Sequence, residues 1–392
     1  MKPKSPSSTN NNNYKTSISP RSSLHMDYSR NSIANFALVS LLLAGVLYFC
    51  LSSSSNSNPL LSFLKTQDSC RQSNSMITTF PVDELEAALE KASMPNKTVI
   101  IAVVNRAYVE QQADEAAATT ATTTMLDLFL ESFWLGEETR PLLDHLLLVA
   151  VDQTAYDRCM FKRLHCYRLV TDGVDFGSEK VYMSTEFIKM MWSRTQFLLN
   201  VLNRGYNFVF TDTDVMWLRN PFTKLISNNE TEDLQISTDI FNGDPRSENN
   251  LLNTGFYYIR SNNKTISLFD KWYTMKDNST GKKEQDVLCD LMRQGLFKQL
   301  GLQVRFLPTD YFSGFCSDSK DLWSVCTVHS NCCRHIAAKI ADLTAVLRDW
   351  RRFKGIVAQF PSEIARNRTT GFRWSPHTGC SNSWRPSNDT KL

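Results

Sequence analysis

The stretch FVFTDTDVMWLRNPF, residues 208–222, closes an apolar run with two aspartates one residue apart, Asp212 and Asp214, the sole Asp-x-Asp pair in the chain. Carboxylates that close repel each other and lose hydration, so such a pair persists where something positive sits between them. Oxygen ligands select hard divalent cations, Mg²⁺ or Mn²⁺, which commonly complete their coordination with substrate phosphates. An apolar strand ending in this pair is therefore a platform for a metal–diphosphate complex. The plain alternative is coincidence, which supplies roughly one or two such pairs in a chain of this length. The surrounding elements have to separate the two.

Those elements alternate. TVIIAVVN (98–105) is a continuous β-branched run suited to a strand buried on both faces, and HLLLVAVD (145–152) reads as a second buried strand, ending in Asp152. VDELEAALEKA and LDLFLESFWLG read as helices, the latter closed by Gly136. A long helix over 183–204, stopped by Gly205, carries Phe187, Met190, Met191, Leu198, Val201 and Leu202 on one stripe, with Arg194 on the same stripe. NFVFTDTD is the third buried strand. This pattern predicts an α/β fold built on a parallel sheet, whose ligands bind at the carboxyl ends of the strands. Asn105, Asp152 and the Asp212/Asp214 pair all stand at such ends. Further on come a strand (LLNTGFYYIR), helices over about 266–276 and 284–300, a strand (QVRFLPTD) and a last helix over about 337–354. Residues 113–124, mostly Ala and Thr, read as a low-complexity loop. No internal repeat is evident, and one domain is expected over 80–355 with a C-terminal extension over 356–392.

Composition excludes less than targeting does. The 392 residues are 42% hydrophobic and 21% charged with a net charge of +3, ordinary for a globular protein, and no basic stripe tracks phosphates, so nucleic acid is not expected as a partner. Residues 1–30 are polar and carry Lys2, Lys4, Lys15, Arg21 and Arg30 against the single acid Asp27; then 33–51 runs without a charge. As a helix that run is about 28 Å long, matching a bilayer core. Positive charge before it and none after it places the N-terminus in the cytosol. The expectation is a cytosolic tail (1–30), a signal anchor (31–53) and a stem (54–79), with a cleaved signal peptide as the competing reading. All six Asn-x-Ser/Thr acceptors, Asn96, Asn229, Asn263, Asn278, Asn367 and Asn388, and nine of the ten cysteines follow the anchor, as suits an oxidising lumen. Nine is odd, so one cysteine is left over, and pairings cannot be read from spacing. A zinc site of Cys159, His165 and Cys166 is the alternative to disulfides.

The Asp-x-Asp stretch resembles the signature of the plant nucleotide-diphospho-sugar transferases, a GT77-like glycosyltransferase family that includes pectin xylosyltransferases and extensin arabinosyltransferases. TVIIAVVNRAY, DLFLESFWLG, LLVAVD, MSTEFIKMMWSRTQFLL, NTGFYYIRSN, EQDVLCD, FLPTDYFSGFC, VHSNCCRHIAAKIADL and DWRRF follow in the order expected of it, over about residues 80–355. The resemblance implies a GT-A-type Rossmann-like α/β/α sandwich that binds a UDP-sugar through Mn²⁺ or Mg²⁺ and transfers the sugar (xylose, arabinose or galactose) to a glycan or glycoprotein acceptor. It implies a single-pass type II protein of the Golgi membrane, with a homo- or hetero-oligomer left open. Carried over, Asp212 and Asp214 become metal ligands, with Asp212 also near the ribose, and His329 a third ligand. Asn105 lines the nucleobase pocket, Lys189, Arg194 and Lys339 are candidates for the diphosphate, and Asn253 contacts the donor sugar. Glu284, Gln285 and Asp286 lie near the anomeric carbon, with Glu where related enzymes more commonly carry Asp. Retention is implied, by same-face attack; Asp286 and Glu284 are the candidates should a covalent intermediate form.

Each of these residues also has a structural reading. Asn105 and Asn253 suit turns, Arg194 an internal ion pair, Lys339 an exposed helix face, His329 a cysteine-rich loop, and Glu284–Gln285–Asp286 a helix N-terminus. Two other functions stay open. A metal-dependent nucleotide-sugar hydrolase keeps the acidic pair but lacks an aromatic acceptor cleft, for which Trp192, Trp217 and Trp323 are the candidates. A non-catalytic scaffold keeps the fold and would tend to lose one acid of the pair, whereas both are present.

Overall fold

Alternation along the buried strands divides the core in two. In β1 (Thr98–Val104), Ile100, Ala102 and Val104 face one apolar cluster while Val99 and Ile101 face another; in β2 (Leu146–Ala150), Leu146, Leu148 and Ala150 join the first and Leu147 and Val149 the second. A sheet buried on both faces needs helices on both, and they are there. Helices Glu84–Ala92, Thr185–Asn203, Asn263–Thr274 and Glu284–Arg293 cover one face; Met125–Leu135, Gln153–Phe161 and Ile336–Gln359 cover the other. This computed structural model describes residues 83–110, 123–170, 176–180, 182–225 and 231–385, all within one compact unit, Thr79–Leu392. The expected tail, anchor and stem, with Asn229 and Asn388, lie outside the described residues; among the described ones no helix is long and apolar enough to cross a membrane.

The seven-stranded sheet has the order β3-β2-β1-β4-β7-β6-β8, with β3 at His165–Arg168, β4 at Asn207–Thr211, β6 at Leu234–Ile240, β7 at Leu251–Ile259 and β8 at Val304–Phe306. β3, β2, β1 and β4 are parallel, a Rossmann-like half, but β7 pairs antiparallel with both β4 and β6. The expected all-parallel sheet is thus a mixed one. The reason is the short β6–β7 connection, which leaves no room for the crossover a parallel pair requires. The chain proceeds from β1 outward to β2 and β3, then returns to place β4 on the other side of β1. A crevice opens at such a reversal, outside the carboxyl ends of the strands.

A second, three-stranded sheet has the order β5-β10-β9 (β5 Val215–Trp217, β9 Phe312–Gly314, β10 Thr327–His329). The helix expected over 284–300 breaks at Gly295, whose φ of 85° lies in the left-handed region that ends helices. The last helix, Ile336–Gln359, runs through the boundary expected at 355. Residues beyond it stay attached: Cys380 is bonded to Cys333, and Asp342 accepts hydrogen bonds from the Gly379 and Cys380 N–H groups. Cys159 and Cys166 also form a disulfide, which removes the expected zinc alternative, because bonded sulfurs offer no thiolate. A third disulfide joins Cys316 and Cys332, and among the described cysteines Cys289 and Cys326 are free. The sequon asparagines Asn96, Asn263, Asn278 and Asn367 are exposed.

β5 links the two sheets through Trp217. Fully buried, its ring stacks on Phe133 at 4.7 Å, and its Nε1 donates to Thr211 Oγ1 at 3.2 Å. Trp217→Ala is expected to cost about 3–5 kcal/mol of stability through the cavity it opens, read as a lowered urea midpoint.

Candidate active site

At the β1/β4 crevice lies a cleft of about 460 Å³, within the range of small-molecule sites. Asn105, Arg194, Asp212, Asp214, Asn253, Glu284, Gln285, Asp286, His329 and Lys339 all line it. Lys189 does not: it is exposed, and Ser193 Oγ donates to its backbone carbonyl. Lys189 and Arg194 share a helix but are five residues apart. At 3.6 residues per turn that sets them about 140° apart, so they cannot serve one site.

Asp212 and Asp214 leave β4 at i and i+2 and turn to the same side. Each gives one oxygen to a cation and leaves the other toward His329. Asp212 Oδ1 accepts from Arg194 Nη1 at 2.8 Å, while its Oδ2 lies 3.9 Å from His329 Nε2. Asp214 Oδ2 accepts from Lys339 Nζ at 2.6 Å and Ser330 Oγ at 2.9 Å, while its Oδ1 lies 3.3 Å from His329 Nε2. One ligand atom from each of the three residues falls within 4.8 Å of the others. His329 arrives from far along the chain because β10 pairs antiparallel with β5, matching His329 to Val215.

The three atoms fit a divalent ion, and the backbone supports the fit. A Cβ on Gly255 would lie 2.3 Å from His329 Cε1 and 2.9 Å from Asp212 Oδ2. Asp212 N donates to the Gly255 carbonyl at 2.7 Å, so this position must be a glycine for β7 to pass so close. Sequence reasoning missed Gly255; the available signal was a glycine inside an otherwise apolar strand.

Arg194 is the hub on the other side. Its side chain is 8% exposed, it lies 4.6 Å over the Phe210 ring, and its Nη2 donates to Glu284 Oε1 at 2.6 Å. Glu284, with 2% exposure, also accepts from Thr254 Oγ1 at 3.0 Å, and its Oε2 is buried without a partner. The extra methylene of Glu at this position carries the carboxylate to Arg194, making Glu284 a holder of the arginine. Gln285 Oε1 accepts from Thr254 N at 3.1 Å; Asp286 lines the cleft at the helix N-terminus. Asn105 donates Nδ2 to the carbonyls of Phe176 and Ser178, leaving its Oδ1 buried and unpartnered. Trp192 and Trp217 are core residues, and half-buried Trp323 donates to Thr369 Oγ1. None lines the cleft, which takes its aromatic surface from Tyr108, Tyr182, Phe187 and Trp384.

Electrostatics follow from this arrangement. Burial raises the Asp212 carboxyl; Arg194 pulls it back and the Asp214 charge pushes it up again. Burial also pushes Asp214 up, but Lys339 and His329 outweigh it and hold that carboxyl well below its ordinary value. Burial lowers His329, yet Asp214 prevails and keeps the imidazole protonated above its usual range. A proton and a metal ion therefore compete for His329 Nε2. Mn²⁺ affinity is expected to rise as pH climbs through the histidine's elevated value and to fall below it, as Mn²⁺ titrations across pH 6–8 would register. Gly255→Ala, at a position inside a paired strand, is expected to weaken Mn²⁺ binding by about tenfold or more while circular dichroism stays native, the magnitude expected when metal ligands are displaced.

Residues 141–343 match the family model described as nucleotide-diphospho-sugar transferase. That span holds every cleft residue named above except Asn105, Tyr108 and Trp384. An uncharacterised Arabidopsis thaliana protein is 58% identical over 80% of this chain and 87% of its own length. A second uncharacterised Arabidopsis thaliana protein is 35% identical over 79% of this chain and 76% of its own. The beta-arabinofuranosyltransferase RAY1 of Arabidopsis thaliana is 28% identical over 64% of this chain and 45% of its own. With the matched residues taking in the acidic pair and His329, the chain belongs to the nucleotide-diphospho-sugar transferase family and is a nucleotide-sugar-dependent glycosyltransferase.

Proposed function

We propose that the cleft is a GT-A-type donor site that uses Mn²⁺ or Mg²⁺ to transfer a pentose or hexose from a UDP-sugar to a glycan or glycoprotein acceptor, with retention. The observation that carries this reading is the convergence of Asp212 Oδ2, Asp214 Oδ1 and His329 Nε2 on one another, while Arg194 and Lys339 occupy the opposite carboxylate oxygens. Three carboxylates (Asp212, Asp214, Glu284) against two permanent cations (Arg194, Lys339) leave the site one negative charge in excess when His329 is neutral. A divalent ion reverses that sign and suits the site to a diphosphate.

When bound by these three residues, the ion supplies Lewis-acid neutralisation of the departing diphosphate. The chain's own residues do the rest. Lys339, side chain 17% exposed and fixed on Asp214, places a second positive charge beside the leaving group, where pre-oriented charge is most effective. Asn105, tied to the Phe176 and Ser178 carbonyls, lines the β1 end of the cleft, where the nucleobase would lie. Asn253 and Gln285 face the donor sugar, and Gln285 is held by Thr254. With Glu284 bonded to Arg194, Asp286 is the remaining carboxylate of its motif facing the cleft, and same-face attack needs no covalent nucleophile.

The compartment belongs to the same proposal: a type II protein of the Golgi membrane with this domain in the lumen. The disulfides and the four exposed sequon asparagines support it.

Purified protein incubated with Mn²⁺ and UDP-xylose, UDP-arabinose or UDP-galactose is expected to hydrolyse one donor slowly. EDTA should abolish turnover, and Asp214→Ala should lower it by about a hundredfold or more. Turnover that survives both treatments would refute the metal-dependent reading.

A further inference from the structure

Strand order imposes a sequence of positions along the rim of the sheet. β1, β4, β7 and β6 are consecutive neighbours. Their rim residues are Asn105 after β1, Asp212 after β4, Asn253 near the start of antiparallel β7 and Asp239 near the end of β6. All four line the cleft. Neighbouring strands lie about 4.8 Å apart, so β1 to β7 spans about 10 Å and β6 adds one further step. If the nucleobase lies at Asn105, the diphosphate at Asp212 and the donor sugar at Asn253, the next position along the rim belongs to whatever the sugar is transferred to.

Asp239 is built for that position. Its Oδ1 accepts two side-chain amides, Asn253 Nδ2 at 2.8 Å and Asn331 Nδ2 at 2.7 Å. Neither amide is free to flip. Asn253 Oδ1 is committed to Gly255 N at 2.8 Å, and Asn331 Oδ1 to Cys316 N at 3.1 Å. Each amide must therefore turn its NH₂ group toward Asp239. Asn331 is further confined by Gly314, where a Cβ would lie 2.5 Å from Asn331 Oδ1, and by the Cys316–Cys332 disulfide beside it. Asp239 is half-buried, and no described residue donates to its Oδ2. One oxygen is saturated, and the other is left to the cleft.

We propose that Asp239 Oδ2 binds a hydroxyl of the acceptor sugar, with Asn331 as the residue that positions it. The proposal rests on the donor-site reading above and adds the acceptor class: a neutral, hydroxyl-bearing sugar ring, which an acceptor-only carboxylate oxygen recognises through O–H donation. Asp239 is thereby separate from the metal ligands; it also holds the donor-sugar residue Asn253, whereas Asn331 bonds to Asp239 and not to Asn253, so the loss of Asn331 is felt on the acceptor side alone.

The test uses full-length protein, Mn²⁺, UDP, the three UDP-sugars, and methyl glycosides of L-fucose, L-arabinose and D-galactose as acceptor probes. Asn331→Ala is expected to leave Mn²⁺-dependent UDP binding and slow donor hydrolysis within about twofold of wild type; Asp239→Ala should leave UDP binding within the same range but, by releasing Asn253, slow hydrolysis. Both should raise the acceptor KM, Asp239→Ala by about tenfold or more, the effect of losing a charged hydrogen-bond partner. Asp239→Asn, whose single carbonyl oxygen is taken by the Asn253 and Asn331 amides, turns an NH₂ donor to the cleft, so it should raise the acceptor KM while keeping Asn253 in place and donor hydrolysis near wild type. Parallel loss of UDP binding and hydrolysis in folded variants would overturn the proposal by placing Asp239 on the donor. An unchanged acceptor KM would overturn it, as would wild-type hydrolysis that none of the glycosides diverts into transfer. A wild type without Mn²⁺-dependent UDP binding would strike the donor-site reading itself, and this inference with it.

Discussion

Two like charges held side by side at the mouth of an apolar sheet set the terms for everything around them. Asp212 and Asp214 lie where water is partly excluded, so their repulsion has to be compensated locally and within hydrogen-bonding distance. The compensation comes from three separate elements: Arg194 from the helix before β4, His329 from β10, and Lys339 from the final long helix. No short segment of chain could bring these groups together. The small β5-β10-β9 sheet lays His329 beside Val215, immediately after the acidic pair, and the last helix begins seven residues beyond His329. The second sheet thus has the same purpose as the salt bridges.

The division of labour between the two oxygens of each carboxylate gives the site its chemistry. A carboxylate wholly committed to Arg or Lys is a structural ion pair; one wholly free is an unpaid cost of burial. Here each is half committed, which fixes orientation while leaving a coordinating atom. Arg194 and Glu284 extend the arrangement inward. Because breaking a buried pair strands an uncompensated charge, these two residues also tie the integrity of the cleft to the fold.

Covalent bonds reinforce the weakest part of this design. The residues between β10 and the last helix form a short, irregular stretch that carries Asn331, with His329 at the end of the strand before it and Lys339 in the first turn of the helix after it. Backbone of that kind would be the most mobile in an unsupported fold. The Cys316–Cys332 and Cys333–Cys380 disulfides pin it from both sides, and Asp342 receives the backbone N–H groups of the C-terminal segment. Loops that must hold a ligand to fractions of an ångström benefit most from such constraint.

Much of this was legible in the chain. Continuous apolar runs ending in Asn105, Asp152 and Asp212 announced buried strands with their polar ends at one edge, because the succession of apolar side chains is a local property. Cys159 and Cys166 were legible as cysteines but not as a pair. The antiparallel insertion of β7, the break at Gly295 and the short strands β5, β9 and β10 were not legible, since pairing partners lie far away in sequence and three-residue strands carry almost no periodic signal. The same limit governs the site. Asp212 and Asp214 declare themselves because their spacing carries the chemistry. Lys189 and Arg194 looked alike until the helix turned them to different sides. Asp239 gave no sign, because its significance lies in two amides held in place by other backbone groups. Sequence by itself determined the strands, the acidic pair and the order of the motifs, all of which are encoded in neighbours. Only the tertiary structure decided which charges meet, because Coulomb and hydrogen-bond energies depend on distance in space, and distance along the chain does not report it.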